Sequence, residues 1–269
     1  MRAITLSGEF HLPVAFDLTA TFLFAITGAL AGMRRRYDII GVFALAFATA
    51  LGGGLVRDGV FISSGPPVAI TEVYYLPLVT LAVFLTILIG RFVPAVRRIL
   101  SVVPMPQSEM GSSTDKLPPL SSGPQAGSGQ KSIFERINLE QHLAKTYGLT
   151  LSLVDALGLG IYAVVGAQKS LDRGLPIGSA ILVGAVNAVG GGLLRDVLTR
   201  EVPLLFKPGQ FYALAAVVGS ALFASLVYWV RMEVQAAALM AIATTFFLRV
   251  FAIRFDWQSP PLVWEDRGY

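Results

Sequence analysis

The sequence predicts an all-α membrane protein of seven transmembrane helices, arranged as two inverted three-helix repeats and a seventh helix. Three observations point there. Of 269 residues, 54% are hydrophobic and only 14% charged, with a mean hydropathy of +0.67; a typical soluble domain carries about 25% charged residues. The apolar residues are gathered into runs near the ~20 residues a spanning helix needs. Finally, the heptapeptide Gly52-Gly53-Gly54-Leu55-Val56-Arg57-Asp58 returns inside a second apolar run as Gly190-Gly191-Gly192-Leu193-Leu194-Arg195-Asp196.

Composition also removes several chemistries. Without cysteine there is no disulfide, thiolate metal site or thiol nucleophile. The only imidazoles, His11 and His142, lie in different segments, so neither a metal site nor a cofactor is expected. The net charge of +4 is carried by basic residues that flank apolar runs. That pattern sets orientation in a lipid bilayer and does not suggest nucleic acid.

The first run, Val14 to Met33, follows a short polar lead. Ala29-Leu30-Ala31 resembles a signal-peptidase site. Asp17 interrupts the run, however, the lead lacks a basic cluster, and a copy of the segment recurs later, so the helix is expected to be retained. Arg34 to Arg36 close it, and a second run extends from Ile39 to Ile62. Residues 63–67, with adjacent Pro66 and Pro67, read as a turn. The third run, Val73 to Val93, begins with Tyr74 and Tyr75 as interfacial anchors and is followed by Arg97 and Arg98. Residues 101–131 are rich in Pro, Ser, Gly and Gln and read as a flexible linker. Residues 133–147 read as a short amphipathic surface helix. Four further runs follow: Leu149–Gln168, Ile177–Leu198, Gln210–Val230 and Val234–Phe251. The expected organisation is a first repeat at 14–98, a linker at 99–148, a second repeat at 149–231, a seventh helix at 234–252 and a tail at 253–269.

Sliding the chain by 138 residues superposes Asp17 on Asp155, Gly28 on Gly166, Ile39 on Ile177 and Tyr74 on Tyr212, without a gap. A repeat with an odd number of spans must run in opposite senses in its two copies. Arg34 to Arg36, Arg97, Arg98, Arg200, Lys207, Arg249 and Arg254 would be cytoplasmic, placing the N-terminus outside and the C-terminus inside. Lys169 and Arg173 fall on the outer side, against that trend.

The heptapeptide admits two readings. Small residues let helices approach closely. Alternatively, Gly52, Gly53, Gly54, Gly190, Gly191 and Gly192 interrupt their helices and expose backbone groups to a water-lined pathway, which the neighbouring charges favour. Gly28, Gly32 and Gly41 are read as packing residues. Arg57 and Asp58, being adjacent, are expected to diverge. Arg57 and Arg195 would then cap carbonyls or pair with Asp58 and Asp196 across the repeats, unless each merely snorkels to its interface. Asp17, Asp155 and Lys169 are candidates for lining a vestibule.

Two copies of Gly-Gly-Gly-x-x-Arg-Asp, each in the second span of a three-span repeat and followed by a seventh helix, resemble the TRIC family, the trimeric intracellular cation channels. The segments from Val165 to Lys169 and Glu201-Val202-Pro203 strengthen the resemblance, which covers 16–98 and 149–252. It implies a homotrimer whose protomers each conduct monovalent cations, mainly potassium, through a pore lined by the second and fifth spans. Lys169 and Arg173 match the spacing of a lipid-binding motif in animal members but lie on the other side of the membrane here, so lipid binding is not carried over. A bacterial inner membrane is the expected location. The competing function is a secondary transporter of a small amino acid such as glycine. No nucleophile, base and oxyanion set can be assembled, so no enzyme is expected.

Overall fold

In the computed structural model, the described residues are 12, 14–63, 65–92, 129–207, 211–255 and 257, with side chains from 148 onward in the helix that begins at Gly129. All regular structure among them is helical. In chain order the helices are α1 (Val14–Arg34), α2 (Ile39–Val56), α3 (Val68–Thr71), α4 (Tyr75–Phe92), α5 (Gly129–Asp172), α6 (Ile177–Leu198), α7 (Tyr212–Tyr228) and α8 (Val234–Arg254). Five of these are long and apolar enough to cross a membrane, α2 together with its continuation to Ile62, and in α5 the stretch from Gly148 to Asp172 is the sixth. The helix α7 is apolar but has 17 residues, about 26 Å at 1.5 Å per residue.

Local chemistry explains the helix ends. The Asp38 carboxylate accepts from the Gly41 amide at 2.8 Å and caps α2. Arg36, Ser63 and Arg200 adopt left-handed backbone just after α1, α2 with its continuation, and α6, while Gly174 does so after α5. Pro67 and Pro176 immediately precede α3 and α6, where the missing amide costs nothing.

The helix α5 is the hub and packs against α1, α6, α7 and α8; α2 packs on α1 and α6. The core is built from small side chains, with Ala20, Ala25, Ala46, Ala50, Ala163 and Ala188 fully buried. That is the composition expected where lipid supplies no hydrophobic drive and close approach holds helices together. Large apolar side chains such as Ile40, Phe84, Leu182 and Leu239 instead face outward.

The two ends of the bundle are distinct. The start of α1, residues 58–75 and the end of α5 line one cavity. At the opposite end Arg35 pairs with Glu201 at 3.0 Å, and the Tyr37 hydroxyl donates to the Leu198 carbonyl at 3.3 Å.

Three sequence expectations change here. Gly52–Gly54 and Gly190–Gly192 do not break their helices; both triplets are α-helical, and the backbone widens to a π-helix only beyond the first, at Arg57–Ile62. Packing at the crossing is what the glycines supply, because α2 and α6 touch there backbone to backbone. The surface helix over 133–147 is not separate but runs unbroken into the following span as part of α5. The gapless repeat fails after the heptapeptide: Tyr75, buried against Asp17, is the counterpart of buried Tyr212, whereas Tyr74 is exposed. The rest of the linker, Arg97 and Arg98, and most of the tail lie outside the described residues.

A Cβ on Gly53 would overlap the Asn187 carbonyl oxygen, but one on Gly54 would meet only the Arg57 guanidinium at 3.7 Å. Gly53→Ala should therefore cost about 1–3 kcal/mol through overpacking. Gly54→Ala should be neutral or stabilising by up to ~1 kcal/mol, from helix propensity. Thermal melts of the two purified variants in detergent check the contrast, and equal melting temperatures would refute it.

Candidate functional site

The site is assembled around the crossing of α2 and α6. Gly53 faces the Asn187 carbonyl, and Gly191 faces the Thr49 carbonyl. The second contact is the first displaced by 138 residues at both partners. Gly28 against Thr49 and Gly166 against Asn187 repeat the relation between α1 and α2 and between α5 and α6. Gly32 packs on Val42, while Gly41 touches only its own capping turn.

Immediately past the glycines, Arg57 donates from Nε to Asp58 Oδ1 at 2.6 Å and from Nη2 to Oδ2 at 2.9 Å. Its Nη1 reaches Asn187 Oδ1 at 3.3 Å. In the second copy Arg195 donates from Nε to Asp196 Oδ1 at 3.0 Å and from Nη1 to Asp155 Oδ1 at 2.7 Å. The expectation that neighbours in sequence diverge is thus corrected, and neither Arg pairs with the other repeat's aspartate; the Arg57–Asn187 contact is the cross-repeat link that remains. Adjacent Cβ atoms do diverge, but the arginine stem is long enough to curl back. With both groups buried, the nearest carboxylate is the partner that offsets desolvation. Neither arginine snorkels.

Each aspartate also catches the chain that follows it. Asp58 Oδ2 accepts from the Val68 amide at 3.1 Å, and Asp196 Oδ2 accepts from the Leu204 amide at 2.9 Å. The backbone carbonyls of the same residues accept from Ser63 and Glu201 at 2.9 and 2.8 Å.

The cavity at the α1 start holds about 500 Å³. Asp17, Asp58 and Lys169 line it together, with Glu72, Asp172 and Arg173 nearer its rim. At its floor Asp17 Oδ2 accepts from Tyr75 at 2.8 Å and from Lys169 Nζ at 2.6 Å. Adjoining it at Asp17 and Tyr75 is a small pocket of about 10 Å³ that Gly54, Arg57 and Tyr162 also touch, room for about one water. Asp155, also a candidate for lining a vestibule, does not line this cavity; it is sealed under Arg195 in the second cluster.

Sequence reading missed four residues that organise this region. Tyr162 donates to the Ala50 carbonyl at 2.6 Å, hydrogen-bonds Thr21 at 2.8 Å and stacks on Phe24. Asn187 donates to the Tyr162 carbonyl at 2.7 Å, and its signal was available: it and Thr49 occupy equivalent positions three residues before each glycine triplet. Tyr75 was taken for an interfacial anchor. Arg249 was assigned to orientation alone, although a lone charge inside the last apolar run marks an intramembrane partner. Among the described residues no group of three His, Asp or Glu is arranged to hold a metal.

A family model described as Glycine transporter matches residues 14–91 and 152–229. The UPF0126 inner membrane protein YadS of Escherichia coli K12 is 25% identical over 252 residues, 94% of this chain and 97% of that one. A UPF0126 membrane protein of Deinococcus radiodurans is 30% identical over 206 residues, 76% of this chain and 71% of that one. Among solved structures, the TRIC trimeric intracellular cation channel orthologue from Rhodobacter sphaeroides aligns with a TM-score of 0.65 at 25% identity, over 90% of this chain and 97% of that one. A second TRIC cation channel structure aligns with a TM-score of 0.64 at 26% identity, over 95% and 99%. The TRIC likeness suggested by the two heptapeptides is therefore shown, and with it the helical membrane fold.

The observed pairing predicts where energetic coupling lies. Double-mutant cycles should give a coupling of at least about 1 kcal/mol for Arg195→Ala with Asp155→Asn, which share a buried bond. Arg57→Ala with Asp196→Asn should be additive within roughly 0.5 kcal/mol. Melting curves of the single and double variants check both, and coupling in the second cycle would restore the cross-repeat pair.

Proposed function

We propose, from the premise that this chain belongs to the family described as Glycine transporter, that it is an inner-membrane channel for monovalent cations, mainly potassium. The observation that carries this reading is the cavity floored by Asp17 and Asp58. Four carboxylates line it (Asp17, Asp58, Glu72 and Asp172) against Lys169 and Arg173, and with Arg57, which holds Asp58 from just outside, one negative charge remains in excess. A cleft with an excess of one sign concentrates the opposite ion. The small pocket that shares Asp17 and Tyr75 with it is lined by Gly54 and Arg57, next to the glycine-bearing crossing of α2 and α6. Those two helices are the pore-lining elements of the proposal, one pore per protomer. Arg57, Asp58, Arg195 and Asp196 brace them, since an arginine held by its own aspartate presents no free positive charge to a passing cation.

The reciprocal contacts displaced by 138 residues support an inverted pair of three-helix repeats, with α7 as a full span and α8 as the seventh. The likeness to a structure described as a trimeric channel supports a homotrimer. Arg34 to Arg36, Arg200 and Lys207 cluster at the end opposite the cavity, which favours that end as cytoplasmic. The cavity would then open outward.

A transporter of a small amino acid is the second reading. The family description favours it, and so does the mixed lining, because Lys169 and Arg173 beside Asp58 and Asp172 suit a zwitterion. Recordings in planar bilayers distinguish the two. A channel gives unitary steps that reverse near the potassium equilibrium potential, and Asp58→Asn should lower their amplitude severalfold. Glycine-driven flux in vesicles with no unitary current would reject the channel.

A further inference from the structure

Seven charged side chains are buried among the described residues, four aspartates and three arginines. They fall into two groups. Near the cavity, Asp17 and Asp58 face Arg57, and the missing positive charge comes from half-buried Lys169. Toward the opposite end, Asp155 and Asp196 face Arg195, leaving the same deficit. The counterpart of Lys169, 138 residues earlier, is Ala31, so the repeat supplies no second lysine.

The fourth charge there comes from α8. Arg249 is fully buried, its guanidinium 4.9 Å from the centre of the Tyr212 ring and within electrostatic reach of Asp155. Asp155 Oδ2 and the Tyr212 hydroxyl are buried facing each other, and no third polar group among the described residues hydrogen-bonds either of them. In the first group the equivalent carboxylate oxygen, Asp17 Oδ2, holds an ammonium as well as the Tyr75 hydroxyl.

We propose that Asp155 and Tyr212 form a latent monovalent-cation site at the end of the bundle opposite the cavity, which Arg249 keeps filled with a tethered positive charge. Lys169 is partly exposed and can exchange with an ion in solution; Arg249, locked under Tyr212, cannot. The seventh helix therefore carries a charge that the duplicated helices need and do not encode. A divalent ion does not fit the proposal, since the vacancy left by Arg249 is a single positive charge. The argument rests on the balance of buried charge and is independent of whether the protein conducts or transports.

The test uses the purified full chain. Removing the guanidinium in Arg249→Met leaves one excess buried negative charge, and the melting temperature should fall by on the order of 10 °C. Asp155→Asn in the same chain restores neutrality and should recover at least half of that fall; Arg249→Lys should do so too. The melting temperature of Arg249→Met should also rise more steeply than that of wild type when N-methylglucamine chloride is replaced by potassium chloride at constant ionic strength. Loss of stability with no recovery on Asp155→Asn would reduce Arg249 to a packing residue and overturn the proposal. A potassium response equal to that of wild type would overturn the latent site. Should Arg249→Met fail to accumulate in the membrane, yield replaces melting temperature, and recovery or its absence in the double variant decides in the same way.

Discussion

The structure depends on the contact between α2 and α6, where at two points backbone meets backbone. Gly53 lies against one carbonyl and Gly191 against another. In lipid, association between helices depends on how closely their backbones approach, because apolar side chains gain nothing by leaving the hydrocarbon. The triplets secure that approach at a cost in helix propensity of roughly 1 kcal/mol per glycine. The neighbouring Thr49 and Asn187 lend their carbonyls to it, and Asn187 turns its side chain to Tyr162 and Arg57. The crossing thus fixes the position of the first buried arginine, which in turn holds the aspartate that straps down the Val68 segment.

Buried charge is the second constraint. Removing one partner of a buried pair strands the other, at about 3–5 kcal/mol, so each cluster needs internal neutrality. The chain achieves this from unrelated places: Lys169 on α5 for one group and Arg249 on α8 for the other. Duplication explains what the groups share. It does not explain where their last charges originate, and there the two ends of the protein differ.

The sequence made the helices legible because hydrophobic run length and bracketing arginines follow directly from the bilayer's thickness and charge preference. The repeat was legible too, through the heptapeptide. Its glycines were misread because a triplet of glycines signals both a break and a close approach; only the partner helix distinguishes them, and Asn187 lies 134 residues from Gly53. Arg57 and Arg195 were misread for a related reason. The rule that adjacent residues diverge holds at Cβ and loses force at the tip of a long flexible stem. Tyr75 was hidden by a one-residue change in register that a gapless shift cannot detect. Arg249 carried its own signal, a charge inside an apolar run, and orientation absorbed it.

The two backbone contacts of the crossing have a mechanical consequence. Two points define a line, and the line through the Gly53 and Gly191 contacts acts as an axle between α2 and α6. Pulling the helices apart breaks both contacts at once and is stiff. The contacts lie one turn apart on each helix, Thr49 and Gly53 on α2 and Asn187 and Gly191 on α6, so the axle runs along the pair. Rolling about it breaks neither contact, whereas scissoring the helices, which swings the ends that hold the Val68 and Leu204 segments, strains both.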